Sequence, residues 1–215
     1  MNPTPSTETL RSQLAAHRLL GIVRGTDPGA SVRTALTLFD EGIRIIEVSL
    51  TTVDAFAVIE EIARATDSTC LLGAGTALSR ESVRRAADAG AGFILTPALS
   101  EGVDEAVELG LPVIPGALTP TEVHAAAQLG AAAVKVFPAN AFPHRYIADL
   151  RQPFPGIDLL PVGGVGLEDV PRYFAHGAIG LGIGSPLCGD APNGGDLTLL
   201  RDRARAFVAA AEASR

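Results

Sequence analysis

The stretch RIIEVSLTTVDAFAVIEEIARATDSTCLLGAGT, residues 44–76, decides the fold. It begins and ends with short apolar runs, RIIEVSL and CLLGAGT, whose continuous hydrophobicity is typical of strands buried on both faces. Residues 54–65, between the two runs, have the pattern of an amphipathic helix. A strand, a helix and a second strand in this order are the repeating unit of a parallel sheet, so the stretch predicts an α/β fold.

The same alternation continues along the chain. Apolar runs also occur at LLGIVRG (from Leu19), FILTPA (from Phe93), PVIPGAL (from Pro112), AAVKVFPA (from Ala132), LLPVGGV (from Leu159) and GLGIGS (from Gly180), which makes eight strand candidates. Helix candidates occupy residues 30–41, 54–65, 80–89, 120–129, 169–176 and 196–214, and four of them end before a glycine: Gly42, Gly90, Gly130 and Gly177. Eight strand–helix units predict one domain over residues 1–215, a (β/α)8 TIM barrel with a short N-terminal helix. An open doubly wound sheet is the alternative, although it usually has fewer strands.

The composition excludes several classes of protein. With 47% hydrophobic and 19% charged residues and a mean hydropathy of +0.28, the chain has the profile of a globular protein. No apolar run reaches the ~18–20 residues that cross a bilayer, and the N-terminus has no apolar signal core, so we expect a cytoplasmic protein without a membrane partner. A net charge of −7 without a basic stripe argues against nucleic-acid binding. Cys70 and Cys188 are too few for a disulfide framework or a zinc site.

Lys135 is the only lysine among the 17 basic residues, and all the others are arginine. A guanidinium does not lose its proton in a protein, whereas a desolvated ammonium can become a neutral amine that attacks a carbonyl. The ordinary interpretation of one lysine is a surface residue without a chemical role. Here the neighbours in AAAVKVFPAN, residues 131–140, are apolar and predict a buried strand, which favours amine chemistry.

Side-chain alternation along the strands directs a few polar groups into the predicted barrel. In RIIEVSL, Glu47 faces the interior if its neighbours face the helices, and in AAVKVFPA the same rule sends Lys135 and Phe137 inward. Arg24, near the end of LLGIVRG, faces inward with Ile22 and is a candidate clamp for a carboxylate. The alternatives are a structural ion pair between Glu47 and Lys135, and an exposed loop position for Arg24.

Hydroxyl and glycine residues follow the strands at the end where such barrels carry their active sites. Thr76 closes CLLGAGT and either binds substrate or caps the next helix. The last two runs contain glycines, which in a strand often mark close approach of a ligand to the backbone. Because the loops after strands seven and eight are a common phosphate site, we interpret four positions as a phosphate cradle, with ordinary turn glycines as the alternative. They are Gly163, Gly164, Gly184 and Ser185.

Taken in order, these motifs resemble those of the class I aldolases that cleave 2-keto-3-deoxy-6-phosphogluconate or its galactonate epimer, the KDPG/KHG aldolase family. The resemblance extends from about residue 19 to the end of the chain. It rests on IEVSLTT for the glutamate, GAGT for the third strand, LTPAL for the fourth, VKVFPA for the Schiff-base lysine, and PVGGV and GIGS for the phosphate. Each motif alone is weak, whereas the set in this order and spacing is specific.

The resemblance implies a reaction and a role for each site residue. A neutral amine would form a Schiff base with the C2 ketone, a carboxylate would act as general acid and base, and the products would be pyruvate and glyceraldehyde 3-phosphate. Neither a metal nor another cofactor is implied, the ligand is a phosphorylated keto acid, and family members are usually homotrimers. The implied roles are Schiff-base formation for Lys135, acid–base catalysis for Glu47, carboxylate binding for Arg24 and Thr76, and shaping of the pocket for Phe137 and Pro97.

Two positions distinguish branches of this family. Thr51 stands where some members carry an arginine, so the carboxylate would depend more on Arg24. Val162 stands where the gluconate-preferring branch tends to have threonine, and valine is typical of the galactonate-preferring branch. We therefore expect turnover of both epimers with a modest preference for galactonate.

The alternatives to this function are a metal-dependent aldolase or a sugar-phosphate epimerase on the same barrel, and a barrel that binds a phosphosugar without catalysis.

Overall fold

The computed structural model describes residues 4–215, and residues 1–3 of the predicted domain lie outside the described residues. The described part contains nine strands. They are β1 (Leu19–Val23), β2 (Ile45–Ser49), β3 (Leu71–Gly75), β4 (Phe93–Leu95), β5 (Val113–Ile114), β6 (Gly116–Ala117), β7 (Val134–Val136), β8 (Leu159–Pro161) and β9 (Leu181–Ile183).

Ten α-helices accompany these strands in the described part. They are α1 (Thr7–His17), α2 (Pro28–Asp40), α3 (Ala55–Ala65), α4 (Arg80–Asp88), α5 (Glu101–Glu108), α6 (Pro120–Gln128), α7 (Tyr146–Arg151), α8 (Val170–Ala175), α9 (Ser185–Cys188) and α10 (Leu197–Glu212). The short N-terminal helix is confirmed as α1, and the six helix candidates agree with the structure within two residues at each end. The candidates above did not include α5, α7 and α9, which have eight, six and four residues. No helix in residues 4–215 combines the length and the apolar character needed to cross a membrane.

Local sequence signals explain where the helices begin and end. Pro28 occupies the first turn of α2, and the Asp27 side chain accepts a hydrogen bond from the N–H of Ala30. Thr119 and Glu122 satisfy each other's backbone N–H groups in a capping box at the start of α6. The four glycines predicted at helix C-termini have φ between 79° and 103°, a conformation that other residues rarely adopt.

The strands form an open, curled arrangement of two parallel sheets. The strand order is β5-β4-β3-β2-β1-β9 in the first sheet and β6-β7-β8 in the second. All the strand pairs are parallel. One further parallel bridge joins Val162, which follows β8, to Gly182 in β9. The predicted α/β class with a parallel sheet is confirmed.

The fifth apolar run is not one strand. PVIPGAL forms β5 and β6, and Pro115 lies between them. Proline has no N–H to donate to a neighbouring strand. Before Pro115 the run pairs with β4, and after Pro115 it pairs with β7. The prediction of eight unbroken strands is therefore wrong at this run.

Two apolar layers pack on opposite faces of the sheets. The layer between the sheets and the helices contains Ile46, Val48, Val134 and Val136, which confirms the alternation predicted along β2 and β7. The other layer lies inside the curl and is called the inner cluster below. Its members are Leu10, Leu14, Leu20, Ile22, Ile45, Phe93, Leu95, Ile114, Ala132, Ala133, Leu160 and Val162.

Helix α1 covers the N-terminal ends of the strands. Its side chains Leu10 and Leu14 are fully buried members of the inner cluster, and burial of a leucine contributes roughly 1.5–3 kcal/mol. Arg11, on the same helix, forms an ion pair with Asp158, just before β8, with 2.5 Å between Nε and Oδ2. One end of the curl is thus closed by a helix, and the predicted site residues follow the strands at the other end.

Candidate active site

Glu47 and Lys135 occupy the interior of the curled sheet. Glu47 is the third residue of β2 and is 2% exposed, and Lys135 is the central residue of β7 and is 5% exposed. No ion pair joins them, and Glu47 Oε2 accepts a hydrogen bond from none of the residues in the described part. The alternative of a structural ion pair is therefore wrong. A buried polar atom without a partner is rare in folded proteins, and it leaves this oxygen available to a bound molecule.

Burial moves the pKa values of these two groups towards each other. Desolvation raises the pKa of Glu47 to about 7, although the positive charges of Lys135 and Arg24 oppose the shift. Desolvation lowers the pKa of Lys135; the charge of Glu47 opposes this change, and Arg24 adds to it. The carboxyl group can therefore both give and accept a proton near neutral pH, and the amine loses its proton more readily than an exposed lysine.

A glycine makes room for the carboxyl group. A Cβ atom on Gly75, at the end of β3, would lie 2.2 Å from Glu47 Oε2. Any side chain at residue 75 would therefore displace the carboxyl group. The β2–β3 register places Gly75 beside Ser49.

Arg24 follows β1 and is exposed at the C-terminal end of the sheet. Within residues 4–215 it forms no ion pair, so its guanidinium is available to an anion. Its charge nevertheless acts on the pKa values of Glu47 and Lys135, which places it close to both. Arg24 thus occupies the exposed position that was the alternative to an inward-facing side chain, and its role as a carboxylate clamp stays a prediction.

Thr76 has an unusual backbone conformation, with φ of 61° in a β-branched residue. Its N–H donates to the carbonyl of Leu95 at 2.9 Å, and its hydroxyl lies 3.1 Å from the hydroxyl of Ser49. The alternative role for Thr76 as a helix cap is wrong, because Ser79 caps α4. Strained residues often occur at functional sites, where the surrounding structure holds them in place.

Phe137 lies beside Lys135, and Pro97 lies beside Gly116, the strand neighbour of Lys135. The Nζ atom of Lys135 lies 4.8 Å from the centre of the half-exposed Phe137 ring. Gly116 pairs with Lys135 in the β6–β7 register, and a Cβ atom on it would lie 2.2 Å from the carbonyl oxygen of Pro97. The absence of a side chain at Gly116 thus lets the loop after β4 pack closely against β6.

The four residues of the predicted phosphate cradle follow β8 and β9, which the Val162–Gly182 bridge brings together. Gly163 and Gly164 have φ of 96° and 74°, and a Cβ atom on Gly164 would lie 2.5 Å from the side-chain amide nitrogen of Asn140. Gly184 precedes α9, and Ser185 is its first residue. No acceptor in the described part takes a hydrogen bond from the N–H of Gly164, Gly184 or Ser185, so these donors can face an anion.

Val162 comes directly before the predicted phosphate cradle in the sequence. It is 3% exposed, belongs to the inner cluster, and precedes Gly163. A Cβ atom on Gly182 would lie 2.6 Å from Val162 Cγ2, so that glycine accommodates the valine side chain. Val162 therefore joins the inner cluster to the first residue of the predicted phosphate cradle.

The structure places four residues at this site for which the sequence predicted no role: Ser49, Gly75, Gly116 and Asn140. The alternation that directs Glu47 inward also applies to Ser49, two residues later. A glycine inside a strand indicates close backbone approach, which applies to Gly75 and Gly116. Asn140 has no comparable signal. In residues 4–215 no group of three or more His, Cys, Asp or Glu side chains could hold a metal ion.

Several known proteins are similar to this chain in sequence and in fold. The profile described as KDPG and KHG aldolase matches residues 10–196. The chain is 35% identical over 197 residues to a probable 2-dehydro-3-deoxy-6-phosphogalactonate aldolase of Rhizobium meliloti (strain 1021), covering 91% of this chain and 92% of the relative. It is 36% identical over 171 residues to the 2-dehydro-3-deoxy-6-phosphogalactonate aldolase of Escherichia coli (strain K12), covering 79% and 83%.

A solved structure described as "Native KDPGal structure" is similar as well. It has a TM-score of 0.85 and 33% identity, and the match covers 91% of this chain and 95% of that one. Both the sequence and the fold are thus shared over nearly the whole length. The chain belongs to the KDPG and KHG aldolase family.

Proposed function

We propose that this protein cleaves 2-keto-3-deoxy-6-phosphoaldonates to pyruvate and glyceraldehyde 3-phosphate through a Schiff base on Lys135. The observation that carries the proposal is the buried pair of Lys135 and Glu47, which have shifted pKa values and no mutual ion pair. A lysine held in this way is available as a neutral nucleophile. Membership of the family supports the same reaction.

The chemistry begins when neutral Lys135 attacks the C2 ketone. The carbinolamine that forms loses water to give an iminium ion, which attracts the electrons of the C3–C4 bond. Glu47 takes the proton of the C4 hydroxyl group, the C3–C4 bond breaks, and glyceraldehyde 3-phosphate leaves. Protonation of the remaining enamine and hydrolysis then release pyruvate and the free amine. The raised pKa of Glu47 suits a group that accepts and returns a proton in one cycle.

The two charged ends of the substrate have separate partners in this proposal. Arg24 and the hydroxyl of Thr76 bind the carboxylate, since Arg24 has no ion pair within residues 4–215. The N–H groups after β8 and β9 bind the phosphate. Phe137 and Pro97 form the walls beside the reacting carbon atoms.

We also infer a closed (β/α)8 barrel and a homotrimer. The Val162–Gly182 bridge and the short distance along the chain between β5 and β6 support closure. Exposed apolar side chains on loops at the C-terminal end of the sheet support contact between copies, because such groups often mark interfaces. They are Val53, Leu78, Leu99 and Phe142. The cytoplasmic location stays a prediction from the sequence.

The test of the proposed function is release of pyruvate from the two phosphorylated substrates, measured with and without EDTA. We expect turnover that EDTA does not change, because the iminium ion supplies the electron sink. Activity that EDTA removes and a divalent cation restores would favour the metal-dependent alternative. Tight binding of the substrates without release of pyruvate would favour the binding barrel.

Substitution at Gly184 is expected to separate phosphate binding from folding. A Cβ atom there would meet nothing closer than Ile22 at 3.8 Å, so neither Gly184→Ala nor the larger Gly184→Leu begins with a clash at Cβ. The backbone of Gly184, with φ of −97° and ψ of −110°, lies outside the main regions allowed to residues with a side chain, so both variants carry the same backbone cost and Gly184→Ala measures it. We expect Gly184→Leu to raise the KM of the phosphorylated substrate by about tenfold or more, the effect of losing charge-assisted hydrogen bonds. The unphosphorylated analogue should be little affected. Gly156→Leu, where a Cβ atom meets nothing within 4 Å, is the matched control, and equal losses on both substrates would contradict the cradle.

Val162→Thr is expected to shift the preference between the two epimers. The substrates differ in the configuration at C4, and Val162 is a buried residue of the inner cluster directly before the predicted phosphate cradle. An apolar side chain does not hydrogen-bond to a hydroxyl group, so we expect the wild type to turn over both epimers. Its kcat/KM should be about tenfold higher for the galactonate epimer. The threonine variant should move kcat/KM towards gluconate. A strong gluconate preference in the wild type would show that Val162 does not govern the choice.

A further inference from the structure

We infer that Ser49 and Thr51 are positioning residues that orient the Thr76 hydroxyl towards the carboxylate of the keto acid. The inference rests on the proposed function, and it concerns side chains outside the reacting pair. Ser49 is the last residue of β2, two residues after Glu47 and on the same face of the strand. It is fully buried, whereas Thr51 is exposed and Thr76 is partly buried.

The three hydroxyl groups form a continuous chain. The Oγ atom of Ser49 lies 2.8 Å from Oγ1 of Thr51 and 3.1 Å from Oγ1 of Thr76. These are normal distances for hydrogen bonds between hydroxyl groups. The serine is the centre of the chain, because each threonine contacts it. Thr76 reaches the serine from a strained conformation, with φ of 61°.

The number of hydroxyl protons determines whether the Thr76 hydroxyl can donate to an anion. The three hydroxyl groups carry three protons, and the two contacts between them use two. If Thr51 donates to Ser49 and Ser49 donates to Thr76, the remaining proton belongs to Thr76 and can point towards an anion. Hydrogen bonds arranged in series polarise one another, and the central Ser49 is fully buried. A carboxylate beside Thr76 would select this order, because only then does Thr76 donate to it.

The experiment compares variants by the dissociation constant of pyruvate and by kcat for cleavage. Ser49→Ala removes the central hydroxyl group of the three. Thr51→Val removes the first donor and keeps the shape of the side chain. We expect Ser49→Ala to weaken pyruvate binding by about tenfold, the effect of one oriented hydrogen bond, and Thr51→Val to weaken it by about threefold. Thr51→Ser keeps a hydroxyl and should bind as the wild type does. The kcat of every variant should change less than its KM.

Two further measurements separate positioning from a structural role. Because Thr51 acts through Ser49, adding Thr51→Val to Ser49→Ala should have no additional effect. Borohydride trapping of acetone, which has no carboxylate, should be equal in all the variants. Independent losses from the two substitutions, equal losses for acetone and pyruvate, or pyruvate binding within twofold of wild type in Ser49→Ala would overturn the inference. A wild type that borohydride does not modify with pyruvate would overturn the proposed function as well, so the two failures are distinguishable.

Discussion

Borohydride added with pyruvate is expected to leave one reduced adduct on this protein, at the Nζ atom of Lys135. No other lysine exists in the chain, and the burial that lowers the pKa of Lys135 increases its neutral fraction. Reduction converts the reversible iminium ion to a stable secondary amine, and peptide mapping by mass spectrometry locates it. An adduct that persists in Lys135→Ala would contradict the assignment.

Substitution of Lys135 should also have the largest effect on turnover. We expect Lys135→Met and Lys135→Arg to lower kcat by about 10⁴–10⁶, the range seen when an enzyme loses its nucleophile. Arginine keeps the positive charge and cannot become a neutral amine, so it should be as inactive as methionine. A Lys135→Arg variant with substantial activity would show that charge, and not nucleophilicity, is what the reaction needs.

Glu47→Gln is expected to lower kcat by about 10²–10⁴, the usual contribution of a general base. Glutamine keeps the size of the side chain and cannot accept the proton of the C4 hydroxyl group. Binding of pyruvate should change little, because the carboxylate of the keto acid is assigned to Arg24 and Thr76. Single-turnover kinetics of cleavage, beside the dissociation constant of pyruvate, test this. A loss confined to binding would contradict the role.

The same substitution should stabilise the fold at high pH. The pKa of Glu47 is raised from 4.5 to about 7, so its contribution to stability is complete below pH 4.5 and is lost as the pH rises through 7. Glutamine does not titrate and avoids this loss. We expect the difference in Tm between Glu47→Gln and wild type to become more positive by several degrees from about pH 4.5 to about pH 8. This change corresponds to roughly 1–3 kcal/mol in the free energy of unfolding.

Glu105 provides a control, because its pKa is shifted in the opposite direction to that of Glu47. It is also 2% exposed, but it forms ion pairs with Arg80 and Arg84, and the hydrogen bond from Arg84 holds its pKa below the usual value. A lowered pKa gives stability that is present above the unfolded pKa and is lost as the pH falls. Glu105→Gln should therefore lower Tm near neutral pH without changing kcat. Parallel pH profiles for the two variants would contradict the different environments assigned to them.

Periodicity predicted the features of the fold that repeat. The unit in residues 44–76 appears in the structure as β2, α3 and β3, because apolar alternation and helix-terminal glycines act locally. The break at Pro115 and the short helix α7 were not predicted, since they depend on which neighbouring strand is available and on only a few residues. Local patterns therefore indicate the order of the elements better than the extent of each strand.

Some features of the candidate site could also be predicted from the sequence, and others could not. The inward positions of Glu47 and Lys135 follow from alternation along single strands, which is visible in the sequence. The contacts of Ser49 and the space that Gly75 provides involve residues far apart in the chain. Such relations require the register between strands, which no pattern within one strand contains.

Helix α1 determines how molecules enter and leave. Because Leu10 and Leu14 cover one end of the inner cluster, the proposed reaction would exchange its ligands at the opposite end of the sheet, where Arg24 and the predicted phosphate cradle lie. In the proposed reaction pyruvate stays covalently attached after the C3–C4 bond breaks, so the phosphorylated aldehyde must depart first. The water that hydrolyses the remaining adduct then arrives by the route that the aldehyde has vacated. Product release in the proposed reaction is therefore sequential, and an aldehyde that stays in the site delays the second half of each catalytic cycle.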